Sequence, residues 1–240
     1  MSPTTPTRRS EAELRHLAEQ GARDLDGADT SAIIDWAARH FAPEVLTVAC
    51  SMADAVLPSL VSRVVPGIDV LFLDTGYHFS DTLATRQLVA ADLDVTVVDI
   101  RPELTVAQQD AAYGPDLFAN DPAACCRMRK VEPLRNALIG YEAWFTGVRR
   151  DESPTRASTP PVAWDAAFGL VKVNPLIEWT FEQLMSYAAT RGIPVNLLVS
   201  AGYPSIGCEP CTKPVAAGED PRSGRWAGFA KTECGLHSGS

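Results

Sequence analysis

Short apolar runs that alternate with helical patterns are the feature that most limits what this chain can fold into. Five runs are rich in β-branched or aromatic residues, and their length suits buried strands: Val45–Ala49, Val70–Leu73, Val95–Val98, Trp144–Thr146 and Leu170–Val173. Helical patterns lie between several of them. Strand–helix alternation at this spacing predicts an α/β fold with a mostly parallel, twisted sheet and flanking helices.

The helical patterns carry start and stop signals. Four segments are predicted to be helices. The first runs from Ser10 to about Leu25, and the second begins at Thr30 or Ser31, either of which can cap it, and is broken by Pro43. The third is Ala53–Val64, and the fourth is capped by Ser80 and runs to about Ala91. Two capping boxes predict further helix starts: Thr105 with Gln108, and Thr180 with Gln183. Gly192 fits the end of the last helix. Residues 148–168, a Pro/Ser/Thr-rich loop, and residues 200–240 have no regular period.

Composition excludes several classes of protein. With 46% hydrophobic and 21% charged residues, the chain is not disordered as a whole. A net charge of −9 argues against a nucleic-acid binder but leaves a small anionic ligand possible. No apolar run approaches the ~18 residues of a membrane span, and no apolar stretch follows Arg8 and Arg9 to make a signal peptide. We therefore expect a cytoplasmic protein without membrane contact.

Four of the six cysteines form two pairs. Cys208 and Cys211 make a CxxC whose thiolates can reach one metal or cluster; a redox dithiol and two unrelated buried thiols are the alternatives. A disulfide between the adjacent Cys125 and Cys126 would be strained, since their Cα atoms are ~3.8 Å apart and normal bridges need at least ~4.4 Å. The two pairs predict a four-thiolate site, for which zinc and an iron–sulfur cube both remain open.

Cys234 is the cysteine nearest the C-terminus. Its basic neighbours in the sequence are Arg222, Arg225, Lys231 and His237. Positive neighbours lower the pKa of a thiol and favour the nucleophilic thiolate, whereas Glu233 opposes this effect. On local chemistry, Cys234 is either a catalytic thiol or an incidental one. Cys50, at the end of an apolar run, is most simply a small buried hydrophobe.

Several motifs occur in a fixed order from about residue 44 to the C-terminus. They are LFLDTGYHF at 71–79, CCRMRKVEPL at 125–134, TGVRRDESPTR at 146–156, VKVNPL at 171–176, and a block from GYPSIGCEPCTKP to GRWAGFAKTECGLH. In this order they resemble the assimilatory adenylyl-sulfate (APS) reductase family, in particular its actinobacterial, cluster-containing branch. The resemblance implies an adenine nucleotide alpha hydrolase-like fold. It also implies reduction of APS to sulfite and AMP in sulfate assimilation, with thioredoxin or a glutaredoxin-like protein as the reductant.

The resemblance also implies roles for individual residues. One [4Fe-4S] cluster per subunit would be held by Cys125, Cys126, Cys208 and Cys211, which displaces zinc. Cys234 would be the nucleophile, forming a thiosulfonate, with His237 beside it. The candidate cations for the sulfuryl and phosphate oxygens are Lys130, Arg149, Arg150, Arg222 and Arg225. The candidate nucleotide contacts are Ser51 in the 50–56 turn, and Asp74, Thr75 and Gly76 after the next strand.

The resemblance also predicts how the chain is divided. We expect a disordered tail at 1–9, a nucleotide-binding reductase domain at 10–205 carrying Cys125–Cys126, and a C-terminal segment at 206–240 with the CxxC and the catalytic tail. Lys130, four residues after Cys126, is expected to link the field of the cluster to the substrate. A homo-oligomer is possible.

Three other classes of protein compete with this interpretation. A 3′-phosphoadenylyl-sulfate (PAPS) reductase resembles the fold and the ECGLH tail but lacks the paired cysteines. A non-catalytic, zinc-stabilised binding module has no need for ECGLH beside arginines. An ATP-pyrophosphatase predicts a Gly-rich SGGxD loop, and the CSMADAV turn at 50–56 lacks those glycines.

Overall fold

A six-stranded sheet in the order β3-β2-β1-β4-β6-β5 forms the centre of the protein. The strands are β1 (Leu46–Ala49), β2 (Ile68–Leu73), β3 (Val95–Ile100), β4 (Ala143–Phe145), β5 (Val162–Asp165) and β6 (Leu170–Val173). All neighbouring strands are parallel except β5 and β6. This computed structural model describes residues 8–216, 218–229 and 235–236. The predicted α/β fold with a mostly parallel sheet and flanking helices is confirmed.

Helices flank the sheet. They are α1 (Glu11–Asp24), α2 (Thr30–His40), α3 (Val56–Ser62), α4 (Ser80–Asp92), α5 (Val106–Tyr113), α6 (Leu117–Asn120), α7 (Pro122–Cys126), α8 (Glu132–Ala137), α9 (Phe181–Arg191) and α10 (Leu197–Ser200). One π-helical turn, Arg127–Val131, joins α7 to α8. No helix in the described ranges is long and apolar enough to cross a membrane.

Local capping signals account for several helix starts. The predicted capping boxes of α5 and α9 are confirmed, because Thr105 and Thr180 each accept a bond from the backbone N–H three residues later and the glutamine there bonds back. Gly192 ends α9 in the left-handed region, with φ of 63°. Side chains with a Cβ rarely adopt this conformation, so glycine is favoured there.

Two predicted caps are wrong. The side chain of Asp29, not Thr30 or Ser31, accepts from Ala32 N–H (2.8 Å) at the start of α2. Thr30 is drawn away because its hydroxyl donates to the carbonyl of Pro175 (2.9 Å). Ser80 is the first residue of α4 rather than its cap, and among the residues that the structure describes no side chain caps that helix.

Two predicted boundaries also change. Helix α3 begins at Val56 rather than Ala53, because residues 51–55 form a turn. The predicted 148–168 loop contains β5, which adds an antiparallel edge strand beside β6. Its few apolar residues follow two prolines, so the segment carried no clear strand period.

Both faces of the sheet are covered. Val70 and Phe145 belong to the larger hydrophobic cluster, whereas their sequence neighbours Leu71 and Trp144 belong to a smaller one. Successive strand side chains point to opposite faces, so the two clusters lie on opposite sides of the sheet. Leu236 packs against the smaller cluster.

The strand order places a crevice at the middle of the sheet. The chain runs outward from β1 through β2 to β3, then returns to place β4 on the other side of β1. At such a reversal the connections leave the carboxyl ends of two neighbouring strands in opposite directions, and ligands bind in the gap between them. Here the reversal lies between β1 and β4.

The N-terminal part of the chain is attached to the sheet. Arg8, which the sequence analysis placed in the tail together with Arg9, donates to the carbonyl of Gly169 (2.9 Å). Arg9 pairs with the buried carboxylate of Glu142, with a shortest N–O distance of 2.6 Å. Glu142 directly precedes β4 and Gly169 directly precedes β6, so these contacts attach the start of the chain to the amino-terminal edge of these two parallel strands.

Candidate active site

A cavity of about 250 Å³ lies at the β1–β4 reversal. It is bounded at the strand ends by Ala49 of β1, Leu73 of β2 and Thr146, which follows β4. Trp144 and Leu236 form apolar parts of its wall, and five cationic side chains line it: Lys130, Arg149, Arg156, Arg222 and Arg225. The cavity therefore offers an apolar surface and anion-binding groups at the position where open α/β sheets bind ligands.

The turn between β1 and α3 forms one wall of this cavity. Ser51 is exposed and lines the cavity, as do Ala53 and Asp54. Met52 adopts φ of 60° with its side chain fully buried. Burial raises the pKa of Asp54, and the nearby Arg149 opposes that shift. Asp54 was not predicted as a site residue, since the sequence of the turn alone does not place a carboxyl at the cavity.

Four of the five predicted cations line the cavity. They are Lys130, Arg149, Arg222 and Arg225. Arg149 is held in place by Asp151, whose carboxylate lies 3.0 Å from its Nε. Arg150 lies outside the lining, where it donates to the carbonyl of Thr159 (3.0 Å) and pairs with Glu178.

The three residues predicted after β2 lie outside the lining of this cavity. Asp74 forms an ion pair with Arg101 at 3.3 Å. Thr75 is fully buried, with its hydroxyl oxygen 3.3 Å from the Sγ of Cys208. Gly76 adopts φ of 74°. Thr75 therefore faces the paired cysteines, and the nucleotide roles of all three residues remain predictions.

The paired cysteines line a second, smaller cavity. Its walls are formed by Cys125, Cys126, Cys208 and Cys211 together with Tyr77, Phe118, Pro122, Arg129, Lys130, Arg225 and Trp226. None of these four cysteines forms a disulfide with another described residue. Over the described ranges, no group of three or more His, Cys, Asp or Glu side chains is arranged to hold a metal ion. The structure thus brings both pairs to one cavity without a preformed single-ion site.

Backbone contacts hold the two cysteine pairs in place. Cys125 and Cys126 end α7, whose first turn is capped by Asp121 through bonds from Ala123 N–H (3.1 Å) and Ala124 N–H (2.8 Å). The second pair is positioned by Glu209 N–H, which donates to the carbonyl of Tyr77 (2.7 Å). Local turns and one long-range contact therefore assemble the thiols.

Two of the thiols are held in the protonated form. Burial, followed by the proximity of Cys126, Cys208 and Cys211, raises the pKa of Cys125 to about 12. Burial, followed by Cys208 and Cys126, raises the pKa of Cys211 to about 11. Thiolates so close together would repel one another, and this repulsion makes the set a site for a cationic group.

The pKa of Cys208 is shifted in the opposite direction. Burial alone would raise its pKa, but the positive charge of Lys130, the hydroxyl of Thr75 and the positive charge of Arg225 outweigh burial and lower it. The pKa of Cys208 is consequently lower than the pKa values of Cys125 and Cys211.

Arg129 is a site residue that the sequence analysis missed. It is 4% exposed, and its guanidinium donates to the carbonyl of Thr75 (2.5 Å) and to Gln109 Oε1 (3.0 Å). Its position in the CCRMRK motif was the available signal. Arg129 ties the π-helical turn after the first cysteine pair to the chain that follows β2.

Lys130 and Arg225 line both cavities. Arg225 donates from Nη1 to Ser205 Oγ (3.2 Å) and to the carbonyl of Ile206 (3.3 Å), and it lies 4.6 Å from the ring centroid of Trp226. The two cations therefore form the partition between the thiols and the larger cavity. The expected role of Lys130, which is to link the field of the cluster to the substrate, remains a prediction.

Gly207 provides a test of this partition. A Cβ at Gly207 would overlap the guanidinium of Arg225. We expect Gly207→Ala to displace that guanidinium and weaken AMP binding by roughly tenfold, which corresponds to about 1.4 kcal/mol. Isothermal titration calorimetry with AMP measures the effect.

The matched control is the same substitution in an Arg225→Ala background. With the guanidinium removed, Gly207→Ala should cause no further loss of AMP affinity. If the two substitutions lower AMP affinity additively, Gly207→Ala does not act by displacing the guanidinium of Arg225.

The two predicted catalytic residues, Cys234 and His237, lie outside the described residues. Gly235 and Leu236 between them are described, and Leu236 lines the larger cavity. Leu236 is half-buried against the smaller hydrophobic cluster.

Solved structures define the class of fold. The phosphoadenylyl-sulfate reductase of Candida auris, in a phosphate complex, matches 85% of this chain and 97% of its own with a TM-score of 0.66 and 24% identity. The FMN adenylyltransferase of Candida glabrata, with FMN and an ATP analogue, matches 88% of this chain and 70% of its own with a TM-score of 0.56 and 13% identity. The chain thus has the predicted adenine nucleotide alpha hydrolase-like fold.

The family follows from the sequence comparison. The model of the phosphoadenosine phosphosulfate reductase domain matches residues 43–214, and the chain belongs to that family. Its relatives include the adenosine 5'-phosphosulfate reductases of Mycolicibacterium smegmatis (56% identical; 98% of this chain, 99% of the relative) and Streptomyces coelicolor (52%; 95% and 97%). The same-named protein of Mycobacterium tuberculosis is 50% identical over 97% of this chain and 98% of its own. The predicted resemblance to this family of oxidoreductases is confirmed.

Proposed function

We propose that this protein reduces adenylyl sulfate to sulfite and AMP, with thioredoxin or a glutaredoxin-like protein supplying the electrons, as a step of sulfate assimilation. The observation that carries the proposal is the shared wall of the two cavities. Lys130 and Arg225 face both the thiols and the larger cavity, so the same cations reach a bound anion and the four-cysteine site. The similarity to enzymes named adenosine 5'-phosphosulfate reductase supports the choice of substrate.

One [4Fe-4S] cluster per subunit is proposed at Cys125, Cys126, Cys208 and Cys211. Four cysteine side chains without disulfides around one cavity are the donor set that such a cluster requires, and the mutual repulsion of their thiolates would be relieved when iron binds them. When bound, the cluster supplies a fixed local field beside Lys130. The charge of Lys130 and the hydroxyl of Thr75 lower the pKa of Cys208 and so favour its thiolate, which is the form of cysteine that binds a metal.

The nucleophile is proposed to be Cys234. Leu236 lines the larger cavity, and two residues of chain span at most about 7 Å, which supports a reacting thiol at that cavity. The thiolate attacks the sulfur of adenylyl sulfate, the S–O bond to phosphate breaks, and AMP leaves with the bonding pair. The product on the protein is a thiosulfonate, S–SO₃⁻. His237 is proposed to assist at the nucleophile.

The cations assist the same step. Negative charge accumulates on the sulfuryl oxygens and the leaving phosphate, so Lys130, Arg149, Arg222 and Arg225 lower the barrier by binding those oxygens. Ser51 is proposed to contact the phosphate from the β1–α3 turn. Asp74, Thr75, Gly76 and Arg150, which were predicted to bind the substrate, lie outside the lining of the larger cavity, and their binding roles remain predictions.

Sulfite release completes the reaction. A reduced thioredoxin thiolate attacks the Sγ of Cys234, sulfite leaves, and a mixed disulfide forms. The second thioredoxin thiol then displaces Cys234, so thioredoxin is oxidised to its disulfide and Cys234 returns as a thiol. We also propose that the enzyme is cytoplasmic, since protein thiols are kept reduced in the cytoplasm. The last proposed partner is a second copy of the same chain, in a homo-oligomer.

The reaction itself is the first test. Purified protein with adenylyl sulfate and reduced thioredoxin should produce sulfite and AMP in equal amounts. AMP without sulfite, or no turnover with iron-loaded protein, would contradict the proposal.

Substrate choice gives a second prediction. We expect kcat/KM for adenylyl sulfate to exceed that for PAPS by at least about tenfold, or 1.4 kcal/mol. A 3′-phosphate needs further cations, but Arg150 is paired with Glu178 and Arg156 with Glu152. Steady-state kinetics with both substrates decides between them. A higher value for the 3′-phosphorylated substrate would favour a PAPS reductase.

A further inference from the structure

The turn between β1 and α3 has an unusual conformation at its centre. Met52 adopts φ of 60° while its side chain is completely buried. A residue with a long side chain rarely occupies this region of backbone space, so the surroundings must hold it there. Ser51 on one side of Met52, and Ala53 and Asp54 on the other, line the larger cavity. The conformation of Met52 therefore determines which groups of the turn face a ligand.

Asn196, 144 residues further along the chain, holds that turn. Its Nδ2 donates to the carbonyl of Met52 (3.2 Å) and to Thr82 Oγ1 (3.1 Å), and the side chain is fully buried. Its Oδ1 accepts from Leu198 N–H (3.0 Å), which fixes the orientation of the amide. All the polar groups of this side chain are thus engaged, and one bond ends on the strained residue.

The backbone around Asn196 reinforces the contact. Its own N–H donates to the carbonyl of Ala53 (3.0 Å), Ala55 N–H donates to the carbonyl of Pro194 (2.9 Å), and Asp54 bridges to Val195. The segment 194–196 therefore lies along the turn as a clamp. The backbone bonds of this clamp end on Ala53, Asp54 and Ala55. The bond to Met52 comes from the side-chain amide of Asn196.

A merely structural role for Asn196 is to cap α10. That role requires only Oδ1, whereas the two N–H groups of the amide point away from α10 toward Met52 and Thr82. We propose that Asn196 is a positioning residue, which sets the β1–α3 turn for nucleotide binding through its bond to the carbonyl of Met52. This inference rests on the proposed function, because it assumes that the larger cavity binds the nucleotide.

The test replaces the donor and keeps the shape. Asn196→Asp retains the acceptor that caps α10 but places a second oxygen against the carbonyl of Met52. We expect the Kd of AMP, measured by calorimetry, to rise at least tenfold. In turnover, KM for adenylyl sulfate should rise by a similar factor while kcat changes less than threefold.

The matched control is Thr82→Val, which removes the other acceptor of the same Nδ2 group and leaves the bond to Met52. It should lower the Tm while AMP affinity stays within twofold of the unchanged protein. Equal loss of AMP affinity in both variants, or unchanged affinity in Asn196→Asp, would overturn the inference. If Asn196→Asp does not fold, Asn196→Ser retains a capping oxygen but cannot reach Met52, and it carries the same expectation. If the unchanged protein does not bind AMP, the proposed function fails instead.

Discussion

Cys234→Ser should abolish sulfite formation, with a loss of at least about 10³-fold in kcat. A serine hydroxyl is far less ionised than a thiol near neutral pH, so it cannot attack the sulfur of adenylyl sulfate at a useful rate. Without reductant, the unchanged protein should release one AMP per site and gain the mass of an SO₃ group on the peptide that holds Cys234. The serine variant should bind AMP normally and gain no mass. Intact-protein and peptide mass spectrometry measure both results.

Cys50 supplies the control for this experiment, because it is a thiol that lines the larger cavity, where Cys234 is proposed to react. Burial, followed by the negative charge of Asp54, raises the pKa of Cys50 to about 12, so the thiol stays protonated at neutral pH. Its Sγ also bonds to the carbonyl of Asp54 at 3.4 Å, an interaction that serine can replace. Cys50→Ser should therefore still form the adduct. An adduct on Cys50, or sulfite from Cys234→Ser, would show that the nucleophile is assigned incorrectly.

Cys126→Ser should lose iron, acid-labile sulfide and activity together. A serine alkoxide is a poor replacement for a thiolate on a cluster, and burial and mutual proximity already disfavour the thiolate forms of Cys125 and Cys211. Iron and sulfide analysis of anaerobically purified protein, with the visible absorption spectrum, measures the loss. The expected content of the unchanged protein is four irons and four sulfides per chain.

Cys50→Ser again serves as the matched control, since Cys50 does not line the smaller cavity. It should retain full iron content. Stoichiometric zinc without sulfide in the unchanged protein would contradict the cluster proposal and favour a structural zinc site.

The sequence predicted those parts of the fold that depend on interactions between residues close together in the chain. The capping boxes at Thr105 and Thr180 need only residues three apart, and both form. The predicted cap at Thr30 is wrong because its hydroxyl bonds to Pro175, a contact between residues 145 apart. Strand β5 was missed for the same reason, since its pairing with β6 and not its own period makes it a strand.

The candidate site likewise has features that local sequence predicts and features that depend on distant contacts. Motif chemistry predicted the four thiols and five cations, and the structure brings the thiols to one cavity and four of the predicted cations to its neighbour. Sequence could not foresee that Arg150 is paired with Glu178, nor that Asn196 bonds to Met52, because both partners are distant in the chain. The shared position of Lys130 and Arg225 likewise depends on tertiary packing.

The position of the two cysteine pairs in the chain has a consequence during synthesis. Cys126 leaves the ribosome about 80 residues before Cys208, and at roughly 5–20 residues per second this delay lasts on the order of 4–16 s. Throughout that interval the wall made by Cys208, Cys211 and Trp226 does not yet exist. Two adjacent thiols are consequently exposed on the nascent chain during this interval, when only a reducing environment protects them from oxidation.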